Sequence, residues 1–197
     1  MIIVDVETSG VDPNKHSILS IGALDFDNPE NVFCGECRIW DGARLSEDSL
    51  KICGFTPEEA MDKNKKTESE LISEFLLWLK GLEDHTIAGH NPFFDFSFIQ
   101  AGAKRGSLDF FLAYRSIDLH TICYYHMKRR GLEIPLTNKR SDINSDFVMR
   151  YVGIPNEPKP HKADNGARYE AEAFNRFLKD KYLFEEFSKY PIPWLGK

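Results

Sequence analysis

The chain contains the run Met1-Ile2-Ile3-Val4-Asp5-Val6-Glu7-Thr8-Ser9-Gly10, and this run decides the fold. Apolar, mostly β-branched residues surround two acids, a pattern typical of a strand that is buried on both faces. Side chains alternate along a strand, so Asp5 and Glu7 project from the same face. Two buried carboxylates side by side repel each other, and a hard divalent cation such as Mg²⁺ would relieve that repulsion. An exposed edge strand with two solvated acids ranks second, because the flanking residues are apolar.

The length and composition are those of one folded domain, residues 1–197, with 42% hydrophobic residues. No apolar run reaches the roughly 18 to 20 residues that a membrane span needs. No basic stretch followed by an apolar segment resembles a secretory signal. We therefore expect a cytoplasmic protein that has no membrane partner. The oligomeric state stays open at this stage.

The charge is unevenly distributed along the chain. The formal net charge is −6, which argues against a general attraction to nucleic acid. Residues 128–168, however, carry nine Lys or Arg against five Asp or Glu. A basic segment on an acidic protein is compatible with a phosphate-bearing substrate, although such segments are usually only solvated surface.

Four cysteines stand at positions 34, 37, 53 and 123. Cys34 and Cys37 have the spacing of half a zinc or redox site, but no second pair accompanies them. Free buried thiols in a reducing compartment are the favoured interpretation.

The first part of the chain predicts strands and then helices. Residues 17–26 and 32–40 alternate as strands and would form an antiparallel meander with the first strand. Thr56 and Thr67 each begin a capping box, and the second box precedes an apolar helical face.

The second part predicts strands that alternate with helices, which favours an α/β fold around one mixed sheet. Short strands are predicted at residues 86–90 and 116–119, each leading into a helix. The pattern beyond them predicts a polar loop at 131–140, a helix at 142–152 and a helix at 165–179.

Two further segments place an acid or a histidine beside a helix start. The run Asn91-Pro92-Phe93-Phe94-Asp95 joins a predicted strand to a helix, so Asp95 would lie near the end of the sheet. An acid at that place is ordinary by itself, because helix N-termini favour negative charge. His161 precedes the last predicted helix, where a single histidine is more often structural than catalytic.

Taken together, the three segments resemble the histidine-bearing (DEDDh) branch of the DEDD 3′–5′ exonucleases, which includes ribonuclease T. The family's first motif, D-x-E-T-x-G, is matched by residues 5–10, and its second, N-x-x-F-D, by residues 91–95. Its third motif, H-x-x-x-x-D, is matched in His161 and in the alanine-rich helix beyond. The resemblance spans residues 1–175. It implies a ribonuclease H-like fold, with a five-stranded mixed sheet that has one antiparallel strand and is flanked by helices.

The same resemblance implies a site with two divalent ions, Mg²⁺ or Mn²⁺, that removes nucleotides from the 3′ ends of DNA or RNA. Asp5, Glu7 and Asp95 would be metal ligands, and His161 would be the general base that acts on water. The residues implied to bind the single-stranded or frayed 3′ end are Thr8, Ser9, Gly10, Asn91 and Phe94, the last by stacking on bases.

Position 166 departs from the family pattern. The last metal-binding aspartate of the family falls five residues after the histidine, and Gly166 stands there. Glu170 is one helical turn later on the same face and is the first candidate to replace it, ahead of Asp164, which is expected in the loop. We expect weak metal occupancy and a turnover far below that of a Gly166→Asp variant. An unchanged rate in that variant would mean that another group already fills the role.

Two hypotheses follow from the motifs. The first is a metal-dependent 3′–5′ exonuclease that is impaired at Gly166. The second is a catalytically degenerate module of the same fold that binds nucleic acid ends without cutting them. Asp5, Glu7, Asp95 and His161 favour the first hypothesis, whereas Gly166 favours the second.

Overall fold

A five-stranded sheet forms the centre of the computed structural model, which describes residues 1–196. Its strands are β1 (Ile2–Thr8), β2 (Ile18–Asp25), β3 (Asn28–Glu36), β4 (Ile87–Gly89) and β5 (Ser116–Asp118). Their spatial order is β3-β2-β1-β4-β5. Strand β2 is antiparallel to both of its neighbours, whereas β1 is parallel to β4 and β4 to β5. The mixed sheet expected from the sequence is confirmed.

Seven α-helices accompany this sheet within the described residues. They are α1 (Glu47–Cys53), α2 (Pro57–Ala60), α3 (Glu68–Lys80), α4 (Phe93–Arg105), α5 (Leu119–Arg129), α6 (Ser145–Val152) and α7 (Ala163–Lys179). A small hairpin is formed by β6 (Leu136–Thr137) and β7 (Arg140–Ser141). Both predicted capping boxes are present, at Thr56 before α2 and at Thr67 before α3.

Alternation along β1 separates two apolar cores. Ile2, Val4 and Val6 pack with the buried residues of α3 and α4. Ile3 packs on the other face, with the buried residues of α5, α6 and α7. Because side chains at every second position share a face, Asp5 and Glu7 point to the same side as Ile3, toward α7.

The start of α7 lies directly against the sheet at Gly22. This glycine pairs with Asp5 across β1 and β2. A Cβ atom at Gly22 would overlap the backbone of Ala163, the first residue of α7. Only glycine permits so close an approach of the two backbones. The contact therefore brings the first turns of α7 over Asp5.

Strand β3 begins earlier in the chain than expected. The sequence predicts a strand at 32–40 after a turn at 28–31, but the strand runs from Asn28 to Glu36. The turn lies instead at Phe26 and Asp27, where the Asp27 N–H donates to the Asp25 carboxylate. Pro29 is tolerated in β3 because β3 is an edge strand of the sheet.

Three other boundaries differ from the expectations. The predicted loop at 131–140 overlaps the β6–β7 hairpin, which ends at Ser141. The turn residues Asn138 and Lys139 both have positive φ, as two-residue hairpin turns of type I′ require. Helix α6 begins at Ser145 rather than at 142, because the Asn144 side chain caps it. Helix α7 begins at Ala163, so Asp164 lies in its first turn and not in the preceding loop.

The cysteines are free, as expected, but they are not all buried. Cys37, Cys53 and Cys123 are buried, whereas Cys34 is exposed on the edge strand β3. None of the helices in residues 1–196 has the length and apolar character needed to cross a membrane.

Candidate active site

Three of the predicted acids meet at the end of β1. Asp5 and Glu7 project from β1 on the face covered by α7, and both are partly exposed. Asp95 lies in the first turn of α4 and is 5% exposed. Its Oδ1 accepts a hydrogen bond from the Val6 N–H at 3.0 Å, which ties α4 to the middle of the acidic run on β1.

Gly166 faces this group of acids, as the motif spacing predicts. A Cβ atom built on Gly166 would overlap Oδ2 of Asp5 and crowd the rest of the Asp5 side chain. The space that a side chain at position 166 would enter is therefore occupied by the Asp5 carboxylate. The glycine is compatible with this arrangement because it adds no atoms there.

Glu170 reaches the same place from one turn further along α7. It is 6% exposed, and its Oε1 accepts a hydrogen bond from the His90 N–H at 3.1 Å. Its other oxygen, Oε2, is buried and has no hydrogen-bond partner among the described residues. The structure thus brings Glu170 to the acids of β1 and α4 with one oxygen unpaired.

His161 stands at the rim of the site, immediately before α7. Its backbone N–H donates to the Ile52 carbonyl at 3.0 Å, which anchors the loop to the end of α1. A cavity of about 140 Å³ lies beside His161, and its walls include Asp5, His90, Glu157, His161, Gly166 and Glu170.

Glu157 belongs to the site, and sequence reasoning missed it. Its Oε2 lies 3.7 Å from Nδ1 of His161, and its Oε1 accepts a hydrogen bond from the Lys162 N–H at 3.1 Å. The sequence feature that could have indicated Glu157 is its place four residues before the motif histidine, in a loop rich in proline. We refer to Asp5, Glu7, Asp95, Glu157 and Glu170 together as the acidic cluster.

Burial and mutual repulsion raise the pKa values across the acidic cluster. Burial raises the pKa of Glu7 to about 7, with a further contribution from the charge of Glu157. Burial also raises the pKa of Asp95 to about 8, although the Val6 N–H opposes the shift. The pKa of Asp5 lies well above its ordinary value because of burial and then the nearby Glu170 and Asp95. A group of carboxylates that resist ionisation together favours a cation between them.

The donor set of the acidic cluster fits a divalent cation. Asp5, Glu7, Asp95 and Glu170 offer carboxylate oxygens, which Mg²⁺ and Mn²⁺ prefer, and Glu170 Oε2 is buried and has no hydrogen-bond partner among the described residues. In residues 1–196, no three His, Cys, Asp or Glu side chains are already spaced to hold a metal ion. The side chains would therefore have to close around an ion by rotation, which the rotatable bonds of Asp and Glu permit.

The turn after β1 is held mostly by its own hydrogen bonds. The Thr8 hydroxyl donates to the Gly10 carbonyl at 2.7 Å, and the Ser9 hydroxyl donates to the Arg44 carbonyl at 2.9 Å. Ser9 is fully buried, and its backbone N–H donates to the Ser17 carbonyl. Among the proposed substrate contacts, Ser9 therefore has its polar groups committed within the protein.

Asn91 and Phe94 flank the acid of the second motif. Asn91 is exposed, has a left-handed backbone with φ of 56°, and donates its N–H to the Asp118 carboxylate at 3.1 Å. Asp118 also caps α5, because its side chain accepts a hydrogen bond from the His120 N–H. Phe94 is half-buried against Phe98, at a ring separation of 4.9 Å, and keeps part of its surface open.

Comparisons with known proteins agree with this architecture. A family model described as an exonuclease (RNase_T) matches residues 2–174. The DNA polymerase III PolC-type of Thermotoga maritima is 30% identical over 178 residues, which cover 90% of this chain and 12% of that protein. Ribonuclease T of Marinobacter nauticus is 28% identical over 120 residues, 54% of each protein. The chain thus spans only a part of the length of these relatives.

Solved structures share the fold at low identity. Cell-death related nuclease 4 (CRN-4) superposes with a TM-score of 0.69 and 19% identity, covering 92% of this chain and 64% of that one. E. coli Exonuclease I in complex with a dT13 oligonucleotide gives a TM-score of 0.67 and 17% identity, covering 89% and 40%. The ribonuclease H-like architecture expected from the motifs is confirmed.

Proposed function

This chain belongs to the exonuclease (RNase_T) family, and we propose that it removes nucleotides from the 3′ ends of nucleic acids by metal-dependent hydrolysis. The observation that carries the proposal is the acidic cluster beside a cavity that has His161 at its rim and, among the described residues, no Lys or Arg in its walls. Members of this family use divalent metal ions. Mg²⁺ or Mn²⁺, two per site, is our proposal for this chain.

The roles of the acids follow from their positions. Asp5, Glu7 and Asp95 would hold the ions, which would supply positive charge to the scissile phosphate and to the attacking water. The hydrogen bond from Val6 to Asp95 keeps the α4 carboxylate aligned with the two carboxylates of β1. A carboxylate that is already held in place by a hydrogen bond needs less reorganisation during the reaction.

Glu170 is our candidate for the fourth acidic group of the site. It is buried beside Asp5, its Oε1 is fixed by the His90 N–H, and its Oε2 is unpaired. No side chain at position 166 can enter while Asp5 keeps its present conformation. In this proposal, the longer side chain of Glu170 replaces the missing aspartate from the next turn of α7.

His161 would act as the general base. An imidazole takes up a proton near neutral pH, so its free ring nitrogen can accept the proton of the water that attacks the terminal phosphodiester. The bond to the departing 3′ oxygen of the penultimate nucleotide then breaks, this oxygen takes up a proton from solvent water, and a nucleoside 5′-monophosphate leaves. His161 is partly exposed, so water and substrate can reach its ring.

The proposed substrate is a single-stranded or frayed 3′ end. Thr8, Ser9 and Gly10 would shape the turn that holds the terminal nucleotide. Phe94, in the first turn of α4, and Asn91, just before α4, would contact that nucleotide. Stacking of a base on the open part of Phe94 is tolerant of sequence. The relatives include a protein named ribonuclease T and an Exonuclease I that holds a DNA oligonucleotide. Both DNA and RNA are therefore substrates to test.

A cytoplasmic location is part of the proposal. It is supported by four cysteines that are free rather than paired, as in proteins of reducing compartments.

The test uses single-stranded DNA and RNA oligonucleotides labelled at the 5′ end, with Mg²⁺, Mn²⁺ or EDTA. We expect stepwise shortening from the 3′ end that requires a metal ion and is lost in the Asp5→Ala variant. A matched oligonucleotide with a blocked 3′ end should resist degradation. Tight binding of the oligonucleotide without any shortening would overturn the proposal in favour of a binding module.

A further inference from the structure

We propose that Glu157 is a positioning residue that orients His161, a role that rests on the function proposed above. Glu157 lies outside the three motifs, in the loop between α6 and α7. Its carboxylate is 12% exposed and faces the cavity that also contains His161 and Asp5.

The two oxygens of Glu157 have different partners. Oε1 accepts a hydrogen bond from the backbone N–H of Lys162 at 3.1 Å, which fixes the carboxylate against the start of α7. Oε2 is then directed to Nδ1 of His161 at 3.7 Å. This distance is slightly longer than a hydrogen bond, and such separations commonly shorten when the substrate binds.

The surrounding loop restricts the movement of both residues. Pro158 and Pro160 stand between them, and each proline ring fixes its own φ angle. At the far end of the loop, the His161 N–H is bound to the Ile52 carbonyl at 3.0 Å. Glu157 and the His161 backbone are therefore held at both ends of a short, stiff connection.

A carboxylate beside Nδ1 determines which ring nitrogen of the imidazole carries the proton. It favours the tautomer in which Nδ1 carries the proton, and this leaves the lone pair on Nε2 for the attacking water. The same arrangement, in which a base is oriented by a third group, recurs in nucleophile–base–acid constellations. Glu157 would thus act through His161 without touching the reacting atoms.

Electrostatics gives a reason for a carboxylate at this position. The charge of Glu157 raises the pKa values of Asp5, Glu7 and Glu170, so its presence is costly to the rest of the acidic cluster. The ring of His161 is the partner that the structure places beside it, with Nδ1 3.7 Å from Glu157 Oε2. A residue that served only to connect α6 and α7 would have no need of a charge facing the site.

The first experiment measures the tautomer of His161 in the metal-free protein, by nitrogen-15 NMR of histidine-labelled samples at a pH where the ring is neutral. The His161→Gln variant identifies the signal among the six histidines. We expect the Nδ1–H form in the unaltered protein and a shift toward the Nε2–H form in Glu157→Ala. Glu157→Gln, which keeps an oxygen acceptor, should lie between the two. An unchanged tautomer in Glu157→Ala would overturn the proposal.

The second experiment is a double-mutant cycle on the metal-loaded protein. Glu157→Ala should lower kcat by roughly 10- to 100-fold with little change in KM. In the His161→Ala background, the same change should have almost no further effect, because the two residues act as one unit. Glu83→Ala, which removes an exposed glutamate between α3 and β4, is the matched control and should leave kcat unchanged.

Binding of Mn²⁺, measured by calorimetry, separates the alternatives. We expect Glu157→Ala to bind Mn²⁺ as tightly as the unaltered protein does. A clear decrease in Mn²⁺ affinity, or additive effects in the cycle, would show that Glu157 is a ligand or a structural residue and would overturn the proposal. Failure of the unaltered protein to degrade any oligonucleotide would instead refute the proposed function, and the tautomer measurement would still stand.

Discussion

Gly166 lies opposite Asp5, where any side chain would overlap the Asp5 carboxylate. Glycine inside a helix costs about 1 kcal/mol relative to alanine, so its presence in α7 is not explained by helix stability. Glu170, one turn later, brings a carboxylate to the same region. Relative to the family pattern, the aspartate expected at position 166 is thus replaced by the longer side chain of Glu170, one helical turn later. We call this replacement the exchange.

This exchange predicts a rescue between the two positions. Glu170→Gln keeps the shape of the side chain and its acceptor for the His90 N–H but removes the charge. We expect it to lower the Mn²⁺-dependent nuclease rate by at least about tenfold, the scale of losing a charged group at a catalytic centre. Adding Gly166→Asp to Glu170→Gln should then restore most of the rate, because the end of the Asp5 side chain can rotate away and a carboxylate returns to the site.

The single Gly166→Asp variant decides between this exchange and the expectation from the motifs alone. A large gain in the otherwise unaltered protein, with little effect of Glu170→Gln, would mean that the site lacks its fourth acid. That outcome would contradict the proposed role of Glu170. Rates should be compared at saturating Mn²⁺, and circular dichroism should show that each variant is folded.

At the level of elements, local signals were sufficient for most of the fold and for placing Asp5 and Glu7 on one face of β1. The apolar run of β1 fixed the face of Asp5 and Glu7, and the capping box at Thr67 fixed the start of α3. Strand β3 was placed too late because Asn28 and Pro29 look like turn residues, although an edge strand tolerates them. Glu157 could not be found by pattern, because its role depends on how the loop folds back onto His161.

A buried ion pair on α7 was equally invisible in the sequence. Arg176 and Glu172 are both fully buried, and the Arg176 Nε donates to Glu172 Oε1 at 2.6 Å. The remaining nitrogens of Arg176 donate to the carbonyls of Val152 and Phe187. The helix that carries Gly166 and Glu170 is thereby fastened to the end of α6 and to the segment that follows α7.

We predict that Arg176→Met lowers the free energy of unfolding by about 3 to 5 kcal/mol, because it leaves the Glu172 charge buried and unpaired. Arg168→Met is the matched control on the same helix. Its pair with Glu186 is partly exposed, so a cost of about 1 kcal/mol is expected. Urea denaturation followed by circular dichroism measures both values. Equal effects of the two substitutions would contradict the assigned role of the buried pair.

For the whole molecule, the acidic cluster links stability to pH and metal. The pKa of Glu7 rises from 4.5 to about 7 and that of Asp95 from 3.8 to about 8, chiefly through burial. Above pH 4 to 5 the unfolded chain loses these protons while the folded chain retains them. The folded state therefore binds more protons, and its stability should fall as the pH rises toward 8.

We therefore predict that, in EDTA, the melting temperature decreases between about pH 5 and pH 8. Mn²⁺ should raise the melting temperature more at pH 8 than at pH 5, because it binds the ionised carboxylates of the native state. The Asp95→Asn variant removes one titrating group and should flatten the dependence measured in EDTA. A melting temperature that rises over this range would contradict the burial of the acids.

The distribution of charge over the surface predicts how a negatively charged strand is held by a protein of net charge −6. Lys128, Arg129 and Arg130 are all exposed at the end of α5, next to the segment that leads into the β6–β7 hairpin. Replacing all three by alanine should weaken binding of a single-stranded oligonucleotide. It should also reduce the slope of log affinity against log salt by about 0.7 for each phosphate that the protein no longer neutralises. Because these residues are not part of the acidic cluster, kcat at saturating substrate should stay unchanged.

Lys80→Ala combined with Lys104→Ala provides the control, since both lysines are exposed on the helices that cover the opposite face of the sheet. Removal of these two positive charges makes the protein more negative without altering the α5 surface. If long-range attraction alone governed binding, the control would weaken affinity in proportion to the charge removed. A salt slope that changes in the α5 variant and not in the control would instead locate the bound phosphates at the end of α5. Equal slopes in all three proteins would exclude this surface from the path of the strand.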